Sequence, residues 1–130
     1  MTQTHALIID DNAKNVTVLN QLLLDEGVTS THVVDVRQLE SAIDTLVNLD
    51  VIFLDLEMPG ISGYDVLEWF QGDARFQSVP IVAYTVHVSE IGPAHQHGFH
   101  SFLGKPINPD RFPEQLASIL RGEQIWEAAS

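Results

Sequence analysis

Four runs in the sequence end on side chains that can do chemistry. His5-Ala6-Leu7-Ile8-Ile9 leads to Asp10 and Asp11, and Val51-Ile52-Phe53-Leu54 leads to Asp55. Val79-Pro80-Ile81-Val82-Ala83-Tyr84 delivers Thr85, and Ser101-Phe102-Leu103 runs into Gly104-Lys105-Pro106. Carboxylates gathered in a partly buried place repel one another, and clusters of this kind usually hold a cation. Oxygen ligands without Cys favour Mg²⁺. A Mg²⁺ ion beside a carboxylate, with Lys and Thr opposite, makes a phosphoryl site. Asp can attack phosphorus and form an acyl phosphate. Mg²⁺ and Lys105 would neutralise the transferred oxygens, and Thr85 offers a further hydroxyl donor. Taken alone, Asp55 reads equally well as a residue that ends a strand and caps the turn at Pro59-Gly60.

For these residues to converge, they must sit on neighbouring strand ends. Short runs of Val, Ile, Phe and Leu suit strands buried on both faces, as in a parallel sheet. Helical patterns alternate with them. Asn12 is placed to cap a helix from about Ala13, with Val16, Leu19, Leu22 and Leu23 on one face and Gly27 after its end. A short strand at Thr31-His32-Val33-Val34 precedes a second helix marked by Leu39, Ile43 and Leu46. Tyr64, Leu67 and Trp69-Phe70 mark a third helix, which Gly72 ends. The fourth, from about Val88, is weak because Gly92-Pro93 interrupts it, and Gly98 ends it. Asn108 is expected to cap the last helix, with Pro109 and Asp110 in its first turn and Phe112, Leu116, Ile119 and Leu120 on its buried face. Five strands alternating with five helices predict a doubly wound parallel sheet. In such sheets the carboxyl edge of the strands is where ligands bind.

The 130 residues suit one domain, with 45% hydrophobic residues and no internal repeat or linker. The absence of cysteine excludes disulfides and thiolate metal sites and fits a cytoplasmic protein. The first residues lack the pattern of a secretory signal, and no apolar run is long enough to span a bilayer. A formal net charge of −12, with six Lys and Arg in all, disfavours direct nucleic-acid binding and suits a divalent cation or a basic partner. Most of the carboxylates need serve only solubility.

The set Asp10-Asp11, Asp55 within Asp-Leu-Glu-Met-Pro-Gly, Thr85 and Lys105-Pro106 resembles the receiver domain of two-component response regulators, over about His5 to Arg121. The resemblance implies a flavodoxin-like (βα)5 sheet in strand order 2-1-3-4-5. The receiver would fill residues 1–130, with a core of about 5–121 and a polar tail, mobile at its end, from 122 to 130. Asp55 is then expected to accept a phosphoryl group from a histidine kinase or phosphotransfer protein. Asp10, Asp11, Asp55 and the backbone carbonyl of Glu57 would serve Mg²⁺, with Asp11 a direct ligand. Lys105 would pair with Asp55 and then with its phosphoryl group, across a cis bond to Pro106. Thr85 and Phe102 are the expected switch pair, acting on a partner face of helix 4, strand 5 and helix 5. Such a domain is a signalling module that assists its own phosphorylation and dephosphorylation; the alternative to a stand-alone receiver is a receiver cut from a larger regulator or hybrid kinase. A phosphohydrolase with an aspartyl nucleophile is less favoured, because those enzymes typically carry a second Asp where this sequence has Glu57.

Some positions depart from the family's commoner pattern. Val86 follows Thr85 where Ala or Gly is usual, so its bulk is expected to narrow access to Asp55. Phe102 replaces the frequent Tyr and lacks a hydroxyl. Glu57 and His87 flank the approach to Asp55 and are expected to tune the lifetime of the phosphorylated state; the alternative is two solvated side chains without a role. His87, His95, His97 and His100 show no regular ligand spacing and read as exposed polar residues rather than a metal site or pH sensor. Trp69 and Phe70 read as core and helix-face residues, and Trp126 as a residue that packs back on the domain.

Overall fold

Strands that are apolar on both faces must be covered on both faces, and that requirement organises the fold. A computed structural model of the chain describes residues 3–46 and 48–127. In order come β1 (His5–Ile9), α1 (Ala13–Asp25), β2 (Thr29–Val33), α2 (Leu39–Asp44), β3 (Val51–Asp55), β4 (Glu57–Met58), β5 (Ile61–Ser62) and α3 (Gly63–Gln71). Then follow β6 (Ile81–Thr85), α4 (Ile91–His97), β7 (Ser101–Gly104), α5 (Phe112–Leu120) and β8 (Trp126–Glu127). The main sheet runs β2-β1-β3-β6-β7-β8 and is parallel throughout. Its first five strands carry the expected 2-1-3-4-5 order.

Alternation along each strand divides the core in two. Ala6, Ile8, Phe53, Val82, Tyr84 and Leu103 face α1 and α5, meeting Leu19 and Leu23 of the first helix and Phe112 and Ile119 of the second. Leu7, Ile9, Ile52, Leu54, Ala83 and Phe102 face the other way and pack on α2, α3 and α4. The central strands β3 and β6 are buried at every position.

Several boundaries differ from expectation for local reasons. The Asn12 side chain caps α1 by accepting from the Lys14 and Asn15 N–H groups, as its position predicts. Asn108 does not cap α5. Its side chain accepts from Asp110 N–H and its carbonyl from Arg111 and Phe112, which closes a separate turn before the helix begins at Phe112. Pro113 then takes a first-turn position of α5, where a missing N–H costs nothing. Leu120 lies 39% exposed at the end of that helix rather than on its buried face. Gly92-Pro93 shortens α4 instead of kinking it: a 3₁₀ turn at Val88–Glu90 precedes the helix, and Pro93 falls in its first turn. Gly98 ends α4 at φ 99°, a conformation that favours glycine.

Two elements are additions. β4 and β5 form a small antiparallel hairpin around Pro59-Gly60, with Gly60 at φ 78°, as a turn of this kind requires. The hairpin brings Gly63 against β3, where an added Cβ would stand 2.7 Å from Asp55 O and from Leu56 Cα. The other addition is β8. The tail pairs with β7 instead of hanging free: Phe102 N–H donates to Ile125 O at 2.7 Å, and the Ser101 hydroxyl accepts from Ile125 N–H. Trp126 packs back on the core, with its ring 4.7 Å from that of His95 on α4. Glu127 meets Arg111 and Gln115 beside and on α5. The expected mobility of residues 128–130 lies outside the described residues.

Two stability predictions result. Gly63→Ala should cost about 1–3 kcal/mol, because the methyl meets backbone that cannot rotate away; an urea titration in which its midpoint equals that of the wild type would contradict the close approach. Trp126→Ala should cost about 1–2 kcal/mol and accelerate hydrogen exchange at the Phe102 amide, whose partner is Ile125 O. Unchanged exchange there would show that β8 is not held by its tryptophan.

Candidate functional site

Sheet register places the chemistry. Ile9 pairs with Leu54 across β1 and β3, so Asp10 and Asp55 each follow a paired residue on adjacent strands. Asp55 pairs with Tyr84, which puts Thr85 one position further along. Thr85 pairs with Gly104, which puts Lys105 one position further again. The Lys105 N–H donates to Thr85 O at 2.8 Å and ties those two ends together. Asp10, Asp55, Thr85 and Lys105 therefore meet at the carboxyl edge of the sheet, with Asp11 at its rim.

Their environments differ sharply. Asp10 is fully buried, Asp55 is 5% exposed and Thr85 is 1% exposed, whereas Asp11 is exposed. Lys105 bridges the two buried carboxylates, its Nζ 3.2 Å from Asp10 Oδ2 and 3.5 Å from Asp55 Oδ1. Asp10 has further donors: Asn12 N–H reaches Oδ1 at 2.9 Å and the Tyr84 hydroxyl reaches Oδ2 at 2.7 Å. Asp55 Oδ1 accepts from Glu57 N–H at 3.2 Å. The Lys105–Pro106 bond is cis.

That imbalance separates the two acids. Burial pushes the Asp55 carboxyl up to about 6; Lys105 and the Glu57 N–H oppose the rise, and the charge of Asp10 adds to it. Burial acts on Asp10 in the same direction, but the Tyr84 hydroxyl, the Asn12 N–H and Lys105 together outweigh it and hold Asp10 below the usual carboxylate range. One oxygen from each of Asp10, Asp11 and Asp55 can lie within 4.8 Å of the others. All three are hard donors, and the pair of buried carboxylates faces a single ammonium, so the set fits a small divalent cation such as Mg²⁺.

The remaining expected residues divide. Thr85 and Phe102 share one face of the sheet, since Ala83 pairs with Phe102 and Thr85 lies two residues on. The Phe102 ring is wholly buried and faces inward. The Thr85 hydroxyl oxygen accepts from His87 N–H at 3.2 Å, which leaves its proton free to donate. Glu57 and His87 join across the mouth of the site, with Nε2 2.9 Å from Oε2, while Val86 stands 60% exposed beside them. The other histidines disperse. His95 lies against Trp126, His97 stacks on Tyr64 with ring centroids 4.4 Å apart, and His100 contacts Ser101 Oγ and Gly122 O. Among the described residues the group close enough to hold an ion is the acidic one.

Sequence reasoning missed Tyr84 and the Asn12 N–H. Asn12 appeared only as a helix cap, although the residue that caps α1 also turns its own amide onto Asp10. Tyr84 was hidden in an apolar run; the one signal was a phenol in a strand with no exposed face, which must find a partner inside.

Comparison with known proteins agrees with this geometry. The sequence profile of the response regulator receiver domain matches residues 6–117. The chain is 31% identical over 112 residues to the stress response regulator protein 1 of Candida tropicalis, covering 83% of this chain. It spans 42% of that relative's length. It is 26% identical over 118 residues to the polar-differentiation response regulator DivK of Brucella ovis, covering 88% of this chain and 94% of DivK. The chemotaxis response regulator CheY4 of Vibrio cholerae superposes with a TM-score of 0.80 at 22% identity, over 91% of this chain and 99% of that one, and so shares the fold. A profile match over most of the chain, joined to a five-stranded core of the expected order, shows that this protein belongs to the response regulator receiver domain family.

Proposed function

We propose that this chain is a phosphoacceptor receiver whose core spans about residues 5–121, and that Asp55 takes a phosphoryl group from a phosphohistidine on a histidine kinase or phosphotransfer protein. The observation that carries the reading is the pairing of one Lys105 ammonium with two buried carboxylates of unequal basicity. An Asp55 oxygen attacks phosphorus, the P–N bond breaks, and the electron pair leaves with the imidazole, which takes up a proton. The product is an acyl phosphate on Asp55. Asp11, Asp55 and the Glu57 carbonyl, with Asp10 behind them, would hold Mg²⁺, which would supply positive charge for the transferred oxygens. Lys105 supplies the protein's own charge to the same oxygens, and the Thr85 hydroxyl donates to one of them. Thr85 moving toward the phosphoryl group leaves space behind it for Phe102, the expected switch partner on the same sheet face.

The downstream partner surface is the face of α4, β7 and α5, now bordered by β8. A short α4 entered through a 3₁₀ turn is a low-stability element suited to a shift in population. The Glu57–His87 pair and Val86 lie where a hydrolytic water would approach Asp55 and are placed to set the lifetime of the phosphorylated state. The acidic surface argues for protein partners rather than direct nucleic-acid contact, and no helix among the described residues is long and apolar enough to cross a membrane. A cytoplasmic signalling role, rather than turnover of a substrate, fits the family. The Candida relatives, longer than this chain, support the receiver as a module of larger regulators, and DivK supports a free-standing one.

Incubation with Mg²⁺ and a small acyl phosphate should add one phosphoryl group by intact mass, and neither Asp55→Asn nor chelated protein should gain it. A gain that persists in Asp55→Asn would refute Asp55 as the acceptor. Metal-free stability gives a second check. Because Asp55 titrates above its ordinary 3.8 in the folded protein, the stability linked to its proton is fully present below that value and is lost as pH rises toward about 6. At pH 7.5 without metal, Asp55→Asn should be more stable than wild type by about 1–3 kcal/mol, with the gap closing below pH 4. Mg²⁺ should narrow the gap by stabilising the wild type. A less stable variant at pH 7.5 would contradict the charge arrangement.

A further inference from the structure

Tyr84 contacts both Asp10 and Lys105 but has no part of its own in attack on phosphorus. It sits one position before Thr85 on β6, so alternation turns it to the opposite face of the sheet. There it is 1% exposed, edge-on to Phe53 at 6.3 Å between ring centroids. Its hydroxyl donates to Asp10 Oδ2 at 2.7 Å. Its ring face lies under Lys105, with Nζ 4.3 Å from the centroid, close enough for a cation–π attraction. One side chain thus holds both members of the Lys105–Asp10 pair.

The consequence appears when Lys105 turns to a phosphoryl group on Asp55. Asp10 Oδ2 now has two donors, the Tyr84 hydroxyl and Lys105 Nζ. Asp10 has no exposed surface, so bulk water does not replace a donor that leaves. With the phenol present, Oδ2 keeps a hydrogen bond after Lys105 departs. Without it, the departure takes the last protein donor from Oδ2 of a buried carboxylate, which is costly, and Lys105 is held back. The geometry points to Tyr84 as a positioning residue for phosphoryl transfer: its hydroxyl secures Asp10 so that Lys105 is free to move from Asp10 to the phosphoryl group on Asp55. This inference rests on the phosphoacceptor reading of Asp55.

Tyr84→Phe keeps the ring, its packing and the contact with Lys105, and removes only the hydroxyl. Phosphorylation by acetyl phosphate at saturating Mg²⁺, followed by intact mass across donor concentrations, should show a maximal rate lowered roughly ten-fold. The half-saturating donor concentration should stay within about two-fold, since the hydroxyl touches no part of the donor. In a Lys105→Met background the same change should have no further effect on the residual rate, a non-additivity that mere loss of stability would not produce. The wild-type protein gives a readout that needs no variant: the Tyr84 hydroxyl proton should stay protected from solvent exchange both in the metal-free protein and with Mg²⁺ and beryllofluoride bound. An undiminished maximal rate in Tyr84→Phe, or loss of that protection with beryllofluoride, overturns this inference alone. A wild type that takes no phosphoryl group overturns the phosphoacceptor reading and this inference together.

Discussion

Two carboxylates, Asp10 and Asp55, are buried at adjacent strand ends and share one ammonium. Like charges within 4.8 Å repel by roughly 3 kcal/mol at an effective dielectric of about 20, and burial adds a desolvation cost to each. Parallel pairing of β1, β3, β6 and β7 fixes where the groups stand, and the surrounding donors decide which acid bears the cost. Asp10 collects a backbone amide, a phenol and Lys105, while Asp55 has one amide and a longer contact to the same Lys105 ammonium. The site thus holds one carboxylate with three donors and one with fewer. A carboxylate with fewer donors beside a shared ammonium is a place where a divalent cation could add the missing charge.

The same packing connects the site to a surface. Thr85 and Phe102 lie on one face of neighbouring strands, and Phe102 is hydrogen-bonded through its amide to the chain's own tail. That tail touches α4 through Trp126 and His95, and reaches Arg111 and α5 through Glu127. β8 therefore contacts each element of the face on which a partner is proposed to act, and covers an edge of β7 that would otherwise be open for pairing.

Much of this was legible from the chain because the strands are short, apolar and end on polar residues. The runs before Asp10, Asp55, Thr85 and Lys105 gave the sheet, and their ends gave the site. What stayed hidden depends on distance in sequence rather than on local pattern. Glu57 and His87, thirty residues apart, were expected on either side of Asp55, but only the fold shows that they contact each other. Trp126 and Glu127 make a strand of two residues, too short for alternation to show, and their partners on β7, α4 and α5 supply the stability. Asn108 misled because the chemistry of a helix cap and of an isolated turn is the same over three residues. Tyr84 was counted as apolar, and its hydroxyl became visible only once Asp10 stood opposite it.

The most direct measurement is a carbon-13 NMR titration of the side-chain carboxyls in metal-free protein. The shared-ammonium account predicts two separated transitions, with Asp55 above the ordinary carboxylate range, near 6, and Asp10 below it. Both acids titrating together at ordinary values, or Asp10 as the weaker acid, would contradict it.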